Sequence, residues 1–247
     1  MINRLILTLS ISFAVFTAQA EEIKLSGKDG FSLYGDFISA NKKSAKGVLM
    51  LHQCNAERSM YGGLAKRLSD SGINSLSLDF RGFGDSTTEE VSLAKLRKKA
   101  TSREHYFEMV NKLGIGSHRS VDVEIAYQYL LAKLGSNAKI SLIGASCGGV
   151  ETVILAQKHK PESFIFFSSG MDDETVDLFN KVSDVPALII ASQGDEYTFK
   201  SSNKIFLNAK SPTTRLLSYK GNGHGIPLFK QDPYLESKMA DWFELNF

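Results

Sequence analysis

Apolar and polar positions alternate through residues 22–39 around Gly30, which predicts two antiparallel strands joined by a tight turn. The rhythm changes at residues 47–52, Gly-Val-Leu-Met-Leu-His, a continuous apolar run suited to a strand covered on both faces. Residues 58–71 fit a helix that stops at Gly72, and residues 73–80 fit the next strand. Val121, Ile125, Leu130 and Leu134 then recur at helical spacing up to Gly135. A strand over 139–144 and a helix over 147–158 follow. Strands over 164–168, 187–192 and 216–219 and a closing helix from Pro233 complete the series, with at most one short acidic helix (172–180) between the first two of them. Short apolar strands alternating with helices predict a mostly parallel sheet with helices on both faces, made mixed by the leading hairpin. This is an α/β fold, read as one domain over residues 21–247.

The longest insertion in this pattern is 87–118. It carries a basic run (Lys95, Arg97, Lys98, Lys99) and the aromatic pair Tyr106 and Phe107. Two readings fit it: a small flap over a pocket, or surface helices whose charges are a solvated face.

Ahead of the first strand, Arg4 precedes an apolar stretch from Leu5 to Phe16, and Ala18-Gln19-Ala20 supplies small residues at the two positions a signal peptidase reads. This is the three-part pattern of a secretory signal over residues 1–20. The apolar part falls short of the roughly 20 residues a membrane span needs. The expectation is an exported protein, periplasmic or secreted, with no integral membrane segment in the mature chain.

The composition is that of an ordinary globular protein, with 43% hydrophobic and 23% charged residues. The 29 basic and 27 acidic residues form no run long enough to track a phosphate backbone, so no nucleic-acid partner is expected. Two cysteines, Cys54 and Cys147, make neither a disulfide scaffold nor a Cys₄ zinc site. No histidine and carboxylate spacing suggests a catalytic metal.

Candidate chemistry centres on Gly144-Ala145-Ser146-Cys147-Gly148, a G-x-S-x-G pattern between a predicted strand and a predicted helix. A serine at the apex of such a turn presents its hydroxyl. Residues two before and two after it pass so closely that a Cβ would clash, which accounts for Gly144 and Gly148. The helix behind Ser146 aims its N-terminal dipole where negative charge would develop. Taken alone, the pentapeptide also fits a glycine-rich turn that only packs helix on strand.

A serine nucleophile needs a base, and the base needs an orienting acid. Of the five histidines, His224 lies in a glycine-rich loop (Gly221 to Gly225) after the last strand. His52 ends a strand and is better suited to tying down its own loop. His105, His118 and His159 fall on helices or their ends and are read as solvated. The acid should follow the preceding strand, where Asp195 is the choice and Glu196 the substitute. The order Ser146, Asp195, His224, each at a strand's carboxyl end, is that of one α/β architecture.

Four segments in order resemble the α/β-hydrolase family, esterases and dienelactone hydrolases among them, over essentially all of the mature chain. LMLHQCN (49–55) is similar to the family's oxyanion loop, and DFRGFGDS (79–86) to its D-x-R-G-x-G-x-S turn. GASCGG (144–149) is similar to its elbow, and GDE and GNGHG complete the set. The second segment is expected to buttress the elbow. The N–H of Cys147, next after the nucleophile, is one expected oxyanion donor. The resemblance places the other in the loop after His52, at Cys54 or Gln53. Three readings of the cysteines stay open: two buried thiols, a Cys54–Cys147 disulfide locking the two donor loops together, or a nucleophilic Cys147.

The resemblance thus implies a serine hydrolase acting on a small-molecule ester, thioester or related acyl bond, with no cofactor. The alternatives are a serine peptidase of the same fold and a non-catalytic binding protein that retains it.

Overall fold

The computed structural model describes residues 20–247. The signal peptide expected over 1–20 lies outside the described residues except for Ala20. Strands β1 (Ala20–Ser26) and β2 (Ser32–Ile38) form the predicted hairpin, with Ile23 opposite Gly35. β2 then pairs antiparallel with β4 (Asn74–Leu78). The remaining strands are parallel: β3 (Lys46–Leu51), β5 (Lys139–Ala145), β6 (Phe164–Phe167), β7 (Ala187–Ser192) and β8 (Arg215–Tyr219). Together they make one eight-stranded sheet in the order β1-β2-β4-β3-β5-β6-β7-β8.

Side chains alternate across the central strands, so the apolar runs feed two cores. Leu49 and Leu51 face one core and Val48 and Met50 the other. The first core is closed by α4 (Ile115–Leu134), α5 (Cys147–Ala156), α6 (Asp173–Asn180) and α7 (Glu196–Asn208), which contribute Val123, Val153, Phe179 and Ile205. The second is closed by α1 (Gly62–Asp70), α8 (Pro227–Gln231) and α9 (Leu235–Leu245), through Leu64, Leu228 and Phe243. No described helix is long and apolar enough to cross a membrane.

Several boundaries differ from expectation. The first turn of the helix expected from 58 is a 3₁₀ turn (Arg58–Tyr61), and the helix expected from Val121 begins at Ile115. Helices α7 and α8 were not expected at all. The insertion 87–118 holds α2 (Leu93–Lys99) and α3 (Arg103–Lys112), whose N-termini are capped by the hydroxyls of Ser92 and Ser102. Leu93, Leu96 and Ile115 make a small core of their own beneath Tyr106 and Met109.

Candidate active site

The chain leaves β5 through Ser146 and enters α5 at Cys147. Ser146 has φ 51° and ψ −119°, a conformation that L-residues rarely adopt. Its N–H donates to the Phe167 carbonyl at 2.9 Å, which pins the turn to β6. A Cβ on Gly144 would lie 2.3 Å from the Gly148 carbonyl carbon, and one on Gly148 would lie 2.4 Å from the Leu51 oxygen. Both contacts are with backbone, which cannot yield, so a tight elbow against the end of β3 requires glycine at each position.

His224 and Asp195 reach the same point from the ends of β8 and β7. Gly194 N–H bonds the Gly221 carbonyl at 2.7 Å, which joins the two loops. His224 Nδ1 lies 2.6 Å from Asp195 Oδ2, and His224 Nε2 lies 2.9 Å from Ser146 Oγ. A carboxylate only accepts hydrogen bonds, so the Nδ1 nitrogen carries the proton and Nε2 is left to accept from the serine hydroxyl. The side chains of Asp195 and His224 are 20% and 36% exposed, so a small molecule can reach the imidazole while the acid behind it stays largely covered. Asp195 rather than Glu196 is the imidazole's partner.

Two side chains outside this set hold its loops. Ser168, buried and also at positive φ (48°), accepts the Gly225 N–H at 2.9 Å. Buried Gln53 accepts the Ile226 N–H through its side-chain oxygen at 3.1 Å, tying the loop after β3 to the loop after β8. Ser169 Oγ donates to the Gly144 carbonyl at 2.9 Å and so supports the elbow from β6. The Ser168-Ser169-Gly170 stretch signalled only a short connection in the sequence.

His52 is fully buried and does tie down its own loop. Its Nδ1–H donates to the Gln53 carbonyl at 2.8 Å, and its Nε2 accepts the Phe80 N–H at 3.0 Å. Both bonds suit a neutral ring, and burial pushes its pKa down to about 4. The 79–86 turn therefore acts first on the oxyanion-loop candidate rather than directly on the elbow. Phe80 and Phe83 pack on the His52 ring, with centroids 4.5 and 5.0 Å away. Asp79, fully buried, accepts the N–H groups of Arg58 (2.7 Å) and Asp85 (3.0 Å) and pairs with the Arg58 guanidinium. Arg81 is fixed between Asp122 and Asp29 and holds the Asp29 carboxyl well below the usual carboxylate range. The other histidines lie away from the site. His159 is not simply solvated, since it bonds Glu124 at 2.7 Å and stacks on Tyr127.

The two cysteines form a disulfide, with Cα atoms 5.8 Å apart. The readings as two free thiols or as a cysteine nucleophile are therefore set aside. Cys54 is exposed rather than buried. Among the described residues, the N–H groups of Gln53 and Cys54 have no hydrogen-bond partner. Cys147 opens α5, so its N–H has no partner within the helix. Beside Cys54 lies a cleft of about 710 Å³ walled by Asn55, Glu57, Phe83, Arg97, Lys98 and Tyr106. The Arg97 guanidinium sits 5.5 Å from the Tyr106 ring centre.

A family model described as the alpha/beta hydrolase fold matches residues 47–169, which span β3, the 79–86 turn, the elbow and the Ser168–Ser169 pair. No curated protein matches the sequence. Among solved structures, a cold-adapted esterase from an Arctic intertidal metagenomic library superposes with a TM-score of 0.71 at 18% identity, covering 93% of this chain and 94% of that one. The dienelactone hydrolase of Anabaena variabilis gives 0.64 at 15% identity, covering 93% and 97%. The Pyrococcus furiosus esterase Pf2001 gives 0.63 at 15% identity, covering 92% of each chain. At these identities the likeness is one of fold. With the mixed sheet, the glycine-bounded elbow and the family match on the same segments, the chain belongs to the α/β-hydrolase superfamily.

Proposed function

We propose that the protein is a serine hydrolase that cleaves carboxylic ester, thioester or related acyl bonds of small molecules. The observation that carries this reading is the unbroken hydroxyl–imidazole–carboxylate chain from Ser146 through His224 to Asp195, at 2.9 and 2.6 Å. In the reaction, Ser146 Oγ attacks the acyl carbon and its proton passes to His224 Nε2. Asp195 keeps the Nδ1 tautomer and offsets the charge of the imidazolium. The same Nε2 proton then goes to the departing alkoxide or thiolate, leaving an acyl-enzyme. Water repeats the sequence from the other side and frees the acid.

Charge builds on the carbonyl oxygen in each tetrahedral intermediate. The Cys147 N–H, at the positive end of α5, and the N–H of Cys54 or Gln53 are the donors assigned to it. One such donor is worth about 3 kcal/mol of barrier. The cleft beside Cys54 takes one side of the substrate, and α2 and α3 form its outer wall. The leader pattern in residues 1–20 supports export of the mature chain.

The reading is tested by turnover of short p-nitrophenyl esters against peptide p-nitroanilides, with Ser146→Ala alongside. Ester turnover that disappears in the variant is the expected result. Turnover of anilides in preference to esters would make it a peptidase, and no turnover of either would make it a binding protein.

A further inference from the structure

We propose that the Cys54–Cys147 disulfide is a reversible thiol-exchange site that sets turnover, the oxidised form being the active one. The inference rests on the hydrolase reading above and concerns the same site.

The first ground is position. Cys147 directly follows Ser146 and opens α5, and Cys54 lies in the loop after β3, 93 residues away. The bond therefore joins the two segments that carry the assigned oxyanion amides. The second ground is what else holds Cys54. Side-chain bonds anchor the loop at His52 and Gln53, both buried. Beyond Gln53 the chain comes to the surface. Cys54 and Asn55 are exposed; a turn bond, Ala56 N–H to Gln53 carbonyl at 3.0 Å, spans them, and the Gln53 side-chain amide donates to the Asn55 side-chain oxygen. The disulfide is the covalent tie that fixes the Cys54 amide relative to the Cys147 amide.

The third ground is chemical access. Cys54 is an exposed residue and lines the 710 Å³ cleft, which puts its end of the bond on the side a thiolate would approach. Attack there forms a mixed disulfide on Cys54 and expels Cys147 as the leaving thiolate. A leaving thiolate at a helix N-terminus is stabilised, which speeds this step. When the reductant is a dithiol, its second thiol attacks the mixed disulfide and releases Cys54. The protein gains two electrons and two protons, and the dithiol becomes a cyclic disulfide. In the reduced form no covalent tie holds the Cys54 segment, which keeps the turn bond and the Gln53–Asn55 side-chain bond. Any thiolate at Cys147 also opposes the negative charge of the tetrahedral intermediate beside it. An effect on transition-state stabilisation belongs mainly in kcat.

The experiment reduces the purified full chain with dithiothreitol, removes the reductant, and measures p-nitrophenyl butyrate turnover and far-ultraviolet circular dichroism. Alkylation and intact mass count the free thiols. The expected result is a kcat about tenfold to a hundredfold lower, with KM changed less than about threefold and the dichroism spectrum unchanged. Oxidised dithiothreitol should restore the rate. Cys54→Ser alone should sit at the reduced level and ignore the dithiol. An unchanged or higher kcat with two alkylated thiols overturns the proposal. So does loss of the spectrum together with activity, which would assign the bond to the fold. No ester turnover by the oxidised protein would instead overturn the hydrolase reading, and this proposal with it.

Discussion

The side-chain oxygen of Gln53 accepts the backbone N–H of Ile226 across 173 residues of sequence, joining the loop after β3 to the loop that carries His224. The two loops to which the proposed reaction assigns oxyanion binding and proton transfer thus share one side chain. Replacing it by alanine leaves a part-buried N–H without its acceptor, at a cost of about 1–3 kcal/mol. Gln53→Ala should lower kcat about tenfold or more, and Gln53→Glu, which keeps an acceptor there, should recover part of it. Equal loss in both variants, measured by steady-state ester hydrolysis, would contradict the role of that bond.

Asp195 governs the tautomer of His224. With Asp195→Asn the amide can donate to Nδ1, which favours the proton on Nε2, where it cannot accept from Ser146. Turnover should fall by about three to four orders of magnitude while the melting temperature moves little. A loss under tenfold would mean that another group orients the imidazole.

His52 makes stability depend on pH in a set direction. Its pKa in the fold is about 4, whereas an unfolded histidine titrates near 6.5. Well above pH 6.5 both states hold the ring neutral and this group adds no pH dependence. As pH falls from 6.5 toward 4, the unfolded chain binds a proton that the folded ring refuses, and stability drops. Between pH 7 and pH 5 the loss is about 2 kcal/mol. Urea unfolding at the two pH values should show a shallower decline in His52→Gln than in the wild type, and matching declines would contradict the assignment.

The cleft beside Cys54 carries two cations, Arg97 and Lys98, against one acid, Glu57. A substrate arm bearing a carboxylate should therefore be favoured there. The ratio of kcat/KM for p-nitrophenyl hemisuccinate to that for p-nitrophenyl butyrate should fall about fivefold in the Arg97→Ala, Lys98→Ala double variant, since an exposed charge pair contributes up to about 1 kcal/mol. An unchanged ratio would place the acyl arm elsewhere.

The features legible in the sequence are those where local backbone contact dictates residue type. Gly144 and Gly148 are required by contacts under 3 Å, and the apolar runs of β3, β5 and β7 by burial on two faces. Helix α7 escaped because its buried positions, Thr198, Ser201, Ser202 and Ile205, have helical spacing but are mostly hydroxyls. Of its large apolar residues, Tyr197, Phe206 and Leu207 are exposed and Phe199 is half-buried, so the hydrophobic pattern pointed the wrong way. The bracing by Gln53 and Ser168 escaped for a different reason. It consists of side-chain bonds to backbone N–H groups 173 and 57 residues away, and such bonds leave no local pattern.

The most direct measurement is the mass of the protein after exposure to a fluorophosphonate, which reacts only with a serine activated by its neighbours. The prediction is one phosphonyl adduct per chain, located by peptide mapping to Ser146 and absent in Ser146→Ala and His224→Ala. An unmodified wild-type protein, or an adduct that persists without His224, would contradict the proton relay from Ser146 to His224.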